Sequence, residues 1–236
     1  MNAQQFADAL DLLARPRETG GGFHEPFVEL FPVDGAAVST LGDLLGSETI
    51  SASDGVAERL DELQFDLGEG PCWLAMGTST VVSEPDLRGH PLHDWPAFTE
   101  AVAGQDVGAM FALPMVIGPL RIGAIDLYRR DAGDIDMDAL RQGEAMAGVV
   151  ARRVFKDALG RVGRDQDDTP APLSRRVLHQ ATGMVLAQLG LSAADARLVV
   201  EGHAFATGRS VLEVAQRIVD KDLVLDPLDR RDGDGR

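Results

Sequence analysis

Cys72 is the only cysteine among the 236 residues. It is therefore the one side chain whose thiol could do nucleophilic or redox chemistry. It follows the sequence Gly-Glu-Gly-Pro, at a position that we predict to be the start of a short helix. The dipole of such a helix can lower the pKa of a thiol and raise its reactivity. A lone cysteine more often fills a small buried apolar position, and no cationic side chain is adjacent in the sequence. We therefore expect Cys72 to pack in a core, with a redox switch as the alternative.

His90 and His93 with Asp94 are close enough in sequence to form part of a metal or haem site. The surrounding segment, Arg88–Asp94, has the composition of a surface loop, and no second pair of ligands appears at helical spacing. The single cysteine also excludes a cysteine-cluster metal site and an internal disulfide. We therefore predict that the chain holds no metal. His203 is expected at the half-exposed edge of a helical core.

Motifs of several enzyme classes are absent from the sequence. It contains no G-x-S-x-G, no glycine-rich phosphate loop followed by lysine, and no H-E-x-x-H. We therefore predict that the protein is not an enzyme. The residues do not identify a cofactor.

The composition, 44% hydrophobic and 25% charged residues, is that of an ordinary soluble globular protein, and the length accommodates two domains. No apolar run approaches the ~18–20 residues that span a bilayer. The N-terminus lacks the basic and apolar regions of a signal peptide. Together with the lone cysteine, these features predict a cytoplasmic protein without a membrane partner.

The net charge of −16 argues against nucleic-acid binding, since phosphate contacts need lysine and arginine. The charge is unevenly distributed, however. Residues 1–160 hold 11 Lys and Arg against 26 Asp and Glu, whereas residues 161–236 hold 11 against 12. The excess acid therefore lies almost entirely in the first two thirds of the chain, and any RNA binding by the last third should depend strongly on salt, loop shape and base stacking.

Three helices are predicted near the C-terminus from serines that start them and glycines that stop them. The first should begin at Ser174 and end before Gly190; Ser192 should cap the second, which ends before Gly208; and Ser210 should cap the third. Apolar residues recur within each helix at helical spacing. We therefore predict a three-helix bundle of about fifty residues, near the lower size limit for independent folding.

Two runs of this bundle carry a specific resemblance. The segments Arg176–Val185 and Ala204–Ala215 resemble those of ANTAR domains, and the match covers residues 173–225. Proteins of this family are transcription antitermination regulators that bind stem-loops in nascent RNA. Many members carry lysine where this chain has Thr182, which removes a phosphate-pairing charge from the expected RNA face.

The first part of the chain alternates strand and helix patterns. We predict strands at 36–41, 48–52, 80–83, 109–117 and 120–128, and helices at 3–14, 23–30, 56–63, 95–102 and 136–159. The last two strands should form a hairpin that turns at Gly118-Pro119. This order predicts an α+β domain with one antiparallel sheet flanked by helices.

Three stretches of this domain resemble the GAF family of small-molecule sensor domains. They are Leu63–Cys72, Asp94–Phe98, and the strand pair Phe111–Met115 with Leu120–Tyr128. The resemblance spans about residues 25–158 and implies the GAF fold. It does not identify a ligand, because members bind cyclic nucleotides, haem, bilins, other small molecules or nothing.

A ligand pocket is expected, from the family, between the hairpin strands and the segment 68–77. Trp73, Phe111, Met115 and Ile125 would line such a cavity, yet the same residues would fill an ordinary core. We favour the core and assign no ligand contact to any residue.

The whole chain is predicted to comprise an N-terminal helix and flexible segment (1–24), a GAF-like domain (25–160), a linker (161–172), an ANTAR-like domain (173–225) and a disordered tail (226–236). Apolar residues along one side of helix 136–159 predict that it pairs two copies of the chain. Packing of this helix on its own sheet is the alternative.

The resemblance places the expected RNA face on the first helix of the bundle and on the turn before the third. The candidate residues are Arg175, Arg176, Gln180, Thr182 and Arg209. Arginine can pair with phosphate and stack on splayed loop bases. Solvated charges on a small bundle are the structural alternative.

Taken together, the two resemblances imply a homodimeric regulator. A GAF-like sensor would receive a signal, and paired ANTAR-like bundles would bind RNA stem-loops to promote antitermination. The alternative is a dimerisation, protein-interaction or redox-sensing module that binds no RNA, which the acidic charge and Thr182 favour.

Overall fold

The computed structural model describes residues 2–15, 22–42, 44–89, 91, 93, 95–162 and 173–225. The chain divides into two compact units, Met1–Asp168 and Thr169–Arg236. Within the described ranges, no helix is both long enough and apolar enough to cross a membrane. The predicted tail, and the predicted linker beyond residue 162, lie outside these ranges.

The first unit is an antiparallel sheet flanked by helices, as predicted. Its strands are β1 (Gly35–Thr40), β2 (Glu48–Ala52), β3 (Val82–Glu84), β4 (Ala109–Ile117) and β5 (Leu120–Arg129). Its helices are α1 (Ala3–Ala14), α2 (Glu25–Leu30), α3 (Gly55–Leu67), α4 (Pro71–Thr78), α5 (Pro96–Val102) and α6 (Met137–Val162). The predicted bounds agree for α1, β2 and β4, whereas α3 and α6 extend beyond their predicted ends.

The strands are arranged in the order β2-β1-β5-β4-β3, and every neighbouring pair is antiparallel. β5 is therefore the central strand, hydrogen-bonded to β1 on one side and to β4 on the other. The β4–β5 hairpin turns at Gly118, whose φ of 57° lies in the left-handed region that glycine adopts most readily.

Gly123 lies on β5 opposite Thr40 of β1. A Cβ atom at this position would lie 1.9 Å from the carbonyl oxygen of Ser39. Only glycine therefore fits between these strands without moving them apart.

Both faces of the sheet are covered, so β4 and β5 are apolar along most of their length. α1, α2 and α6 cover one face around a core that includes Phe111, Met115 and Ile125. α3, α4 and α5 cover the other face, where Trp73 packs beside Cys72. The four residues considered as one cavity lining therefore do not share a face of the sheet, because Trp73 lies on one face and the other three lie on the opposite face. The core interpretation is correct for Phe111, Met115 and Ile125, which are fully buried.

The second unit contains, among its described residues, the helices α7 (Leu173–Leu189), α8 (Ala193–Thr207) and α9 (Val211–Val219). The capping is as predicted from the sequence: the Ser192 hydroxyl accepts a hydrogen bond from the backbone of Asp195, and Ser210 caps α9 in the same way through Glu213. Gly208 ends α8 with a φ of 65°.

The three helices share one apolar core. Its fully buried small residues include Ala181, Ala204 and Ala215, which let the helix axes approach closely. Gly183 of α7, in contrast, is exposed, and a Cβ atom added there would meet no other heavy atom within 4 Å. Phe205, the one aromatic residue of 173–225, also lies outside this core.

Candidate functional site

A layer of buried polar side chains lies between α3, α4 and the sheet. Asp61 and Gln64 are three residues apart on α3 and therefore occupy the same face of that helix. Asp126 lies on the central strand β5, where it pairs with Ala37 of β1. Charged and amide side chains are rarely buried without partners, so this layer is the most unusual chemical feature of the first unit.

Asp61 is 1% exposed and is held by two hydroxyl groups. The hydroxyls of Ser39 on β1 and Thr49 on β2 both donate to its Oδ2 atom. Its Oδ1 atom is buried and has no hydrogen-bond partner in the described part of the chain. Burial raises the pKa of Asp61 to about 6, although the two hydroxyl bonds act in the opposite direction.

Asp126 is 6% exposed, and its Oδ2 atom accepts a hydrogen bond of 2.5 Å from Nε2 of Gln64. Its Oδ1 atom is also buried without a partner. Burial, together with the nearby charge of Asp61, raises the pKa of Asp126 well above its usual range. The two aspartates are called the carboxyl pair below.

Gln64 connects the carboxyl pair to α4. Its Oε1 atom accepts the backbone N–H of Cys72 at 2.8 Å, while its backbone carbonyl accepts the indole N–H of Trp73 at 2.6 Å. One amide side chain thus links the central strand to the first turn of α4.

Among the described residues, the carboxyl pair has no compensating cation. Neither Asp61 nor Asp126 forms an ion pair with any described residue. A buried carboxylate without a counter-charge is costly, so such a pair favours a bound proton, an added hydrogen-bond donor or a cationic group. Both carboxyl groups therefore hold a proton more readily than an exposed aspartate does.

Cys72 differs from the activated thiol considered from the sequence. It lies in the first turn of α4 as expected, but it is fully buried. Burial, with the negative charges of Asp126 and Asp61, raises the pKa of the thiol well above its usual range. Cys72 therefore packs in a core, as favoured from the sequence, and burial with the carboxyl pair outweighs any lowering of its pKa by the helix dipole.

His93 is the one member of the suggested metal cluster that lies within the described residues; His90 and Asp94 lie outside them. Its Nδ1 atom is 3.1 Å from Oε2 of Glu84, which also accepts the His93 backbone N–H. The ring stacks on Trp95 at 4.9 Å. In the described part of the chain, no group of three or more His, Cys, Asp or Glu could hold a metal ion.

The candidate RNA residues are only partly described. The side chains of Arg175 and Arg176 lie outside the described set. Gln180 is exposed on α7, whereas Thr182 is half-buried and its hydroxyl donates to the Leu178 carbonyl at 2.8 Å. Thr182 therefore uses its polar atom within its own helix.

Arg209 is exposed in the turn between α8 and α9, as predicted. Its guanidinium contacts Glu213 at 2.6 Å. His203 is half-exposed on α8, also as expected. Residues 173–225 carry six Lys and Arg and five Asp and Glu, so the helical unit is nearly neutral.

The sequence interpretation missed Asp61, Gln64 and Asp126. Asp126 did offer a signal, because it is the only charged residue in the apolar run Ile122–Tyr128 of β5. Asp61 offered a weaker one: it directly follows Leu60 and precedes Leu63, so it borders the buried stripe of α3.

Comparisons with known proteins identify the fold of the first unit. No family model matches the sequence, and no curated protein matches it either. Among solved structures, the GAF domain of a phosphoenolpyruvate-protein phosphotransferase from Coxiella burnetii matches with a TM-score of 0.51 and 12% identity, covering 69% of this chain and 99% of that one. The first unit therefore has a GAF-like fold.

Two further GAF domains match with lower scores. One, from an Acinetobacter phosphoenolpyruvate-protein phosphotransferase, has a TM-score of 0.48 and 10% identity over 67% of this chain and 97% of its own. The other, from a putative membrane protein of Geobacter sulfurreducens, has a TM-score of 0.46 and 17% identity, and it covers 64% of this chain and 96% of that one.

Proposed function

We propose that this chain is a signal-responsive regulator that binds RNA stem-loops through residues 173–225 and thereby promotes transcription antitermination. The GAF-like unit receives the signal, and the protein acts in the cytoplasm as a homodimer without catalytic activity. The observation that carries the proposal is a helical unit with its own core and the ANTAR-like sequence, joined in one chain to a GAF-like fold.

Three features of the helical unit support RNA binding. Its near-neutral charge contrasts with the acidic first unit, so it repels phosphate far less. Gln180 and Arg209 are exposed and can reach a ligand. Pairing two such units in a dimer supplies by avidity the affinity that a single nearly neutral bundle lacks.

The carboxyl pair is the candidate sensing element of the GAF-like unit. A small molecule that supplied donors or positive charge to the two unpartnered Oδ1 atoms would be stabilised by them. Gln64 links Asp126 to α4, so binding of a molecule at the carboxyl pair would also change how α4 packs against the sheet.

Titration of the full-length chain against an RNA with two stem-loops tests the proposal. The competitor is an RNA of equal length whose loops are scrambled and whose stems are kept. We expect preferential binding of the intact loops, with an affinity that falls steeply between low and moderate salt. Equal binding of both RNAs would refute the proposal.

Arg209→Ala provides the matched variant. Loss of one phosphate contact should weaken binding and reduce the slope of log K against log salt by about one. Arg141→Ala is the control, since Arg141 is an exposed, ion-paired arginine of α6 in the first unit. It should leave both quantities unchanged.

A protein-interaction module without RNA binding is the second candidate. The acidic net charge of the chain, the Arg209–Glu213 ion pair and the hydrogen bond of Thr182 within its own helix favour it. It predicts that Arg209→Ala changes no RNA affinity at any salt concentration, while sedimentation still detects a dimer.

A further inference from the structure

An apolar stripe on α8 faces away from the core of the helical unit. Leu198 and Phe205 are 64% and 74% exposed, and they lie seven residues apart, which is two turns of helix. The buried residues Ala196, Val200 and Ala204 lie on the opposite side of the same helix.

Gly202 lies between Leu198 and Phe205 along this stripe. A Cβ atom at Gly202 would meet no other heavy atom within 4 Å. The space at Gly202 is therefore open, and the Phe205 ring three residues further along α8 is accessible to a planar group.

Two of the carboxylates near the stripe are paired with arginines. Glu201 contacts Arg197 at 2.6 Å, and Glu213 contacts Arg209 at 2.6 Å. A third, Asp195, accepts a hydrogen bond from the Ser192 hydroxyl. The two ion pairs reduce the uncompensated acid beside the stripe, which lowers the electrostatic cost of bringing RNA to it.

Arg209 follows Phe205 by four residues, in the turn after α8. Its backbone N–H donates to the Ala204 carbonyl at 3.1 Å, and the Gly208 N–H donates to the Phe205 carbonyl at 3.2 Å. These bonds fix the backbone of the turn that follows α8, so the side chains of Phe205 and Arg209 start from one hydrogen-bonded turn.

The size of the stripe argues for a small planar occupant. An aromatic side chain buries about 150–250 Å² at most, so Phe205 with Leu198 offers a few hundred Å². A stable interface between two protein copies buries about 800 Å² per partner. Base-on-aromatic stacking, in contrast, needs only one ring face.

We propose that Phe205 is a stacking platform for an unpaired base of the RNA loop, with Arg209 beside it contacting the backbone. This inference rests on the proposed RNA-binding function, and it names a contact residue that the sequence interpretation did not include. Stacking tolerates any base, so Phe205 contributes affinity for open loops rather than for one loop sequence.

The test uses the full-length chain and the two-stem-loop RNA, with 2-aminopurine replacing one loop base at a time. Phe205→Leu removes the ring but keeps an apolar side chain, and Phe205→Trp restores a ring. We expect Phe205→Leu to weaken binding by about 5- to 150-fold and Phe205→Trp to bind like the unmodified chain. The 2-aminopurine fluorescence at one loop position should be quenched only when a ring is present.

Salt dependence separates stacking from charge. Phe205→Leu should leave the slope of log K against log salt unchanged, because no phosphate contact is lost. Leu12→Ala, which changes an exposed leucine of α1 in the first unit, is the control and should bind as the unmodified chain does.

Each contrary outcome has a distinct meaning. Wild-type affinity in Phe205→Leu overturns the stacking inference and leaves the proposed function standing. No preference of the unmodified chain for looped RNA overturns both. Dissociation of a dimer by Phe205→Leu in sedimentation overturns stacking in favour of a contact between copies.

Discussion

Replacing Asp61 by asparagine should change how the stability of the GAF-like unit depends on pH. Burial raises the pKa of Asp61 from its ordinary value of 3.8 to about 6. The folded protein therefore holds this proton at pH values where the unfolded chain has released it. The resulting stabilisation is complete below about pH 4 and is lost as the pH rises to about 6.

The magnitude follows from the size of the shift. One pKa unit corresponds to about 1.4 kcal/mol, so a rise of about two units makes folding less favourable by about 3 kcal/mol between pH 4 and pH 7.5. Asparagine is neutral throughout this range, and its amide oxygen can accept the hydroxyls of Ser39 and Thr49 that now bind Oδ2. The free energy of unfolding of Asp61→Asn minus that of the unmodified chain should therefore increase by about 3 kcal/mol over this interval.

Urea unfolding followed by tryptophan fluorescence measures this difference. Both tryptophans of the chain, Trp73 and Trp95, lie in the first unit, so the signal reports that unit alone. Asp138→Asn is the control, because the Asp138 side chain is 81% exposed, and its effect should stay within about 0.5 kcal/mol at each pH. Parallel pH curves for Asp61→Asn and the unmodified chain would refute the reasoning.

Three further predictions concern single residues. Cys72 should react with a thiol reagent far more slowly in the native protein than in urea at the same pH, because its thiol is buried with a raised pKa; equal rates would contradict this. Gly123→Ala should destabilise the first unit by about 3 kcal/mol in urea, since the new methyl group meets the Ser39 carbonyl, whereas Gly104→Ala, with open space around it, should be nearly neutral. Ser192→Ala should lower the stability of the helical unit by about 1 kcal/mol in far-ultraviolet circular dichroism, and Ser192→Asn should restore it if the cap is the cause.

The elements set by local chemistry were predictable from the sequence. The helical unit is an example, because Ser192, Gly208 and Ser210 specify its caps through hydrogen bonds within a few residues. The apolar runs of β4 and β5 and the turn at Gly118 likewise predicted the hairpin.

The carboxyl pair was not predictable in the same way. Asp61 and Asp126 are 65 positions apart, and their burial arises only when α3 packs on the sheet. The same long-range packing raises the pKa of Cys72 through burial and the two aspartates, which the residues around Cys72 in the sequence do not show. Phe205, in contrast, could have been placed from the sequence, because the periodicity that buries Val200 and Ala204 points it away from the core.

The amide of Gln64 determines which oxygen of Asp126 accepts its hydrogen bond. The backbone N–H of Cys72 can only donate, so the carbonyl end of the amide must face it and the NH₂ end must face Oδ2 of Asp126. Oδ2 therefore accepts, whether Asp126 is charged or neutral. The buried Oδ1 atom has no partner among the described residues, and it is left as the position open to a proton or to a donor.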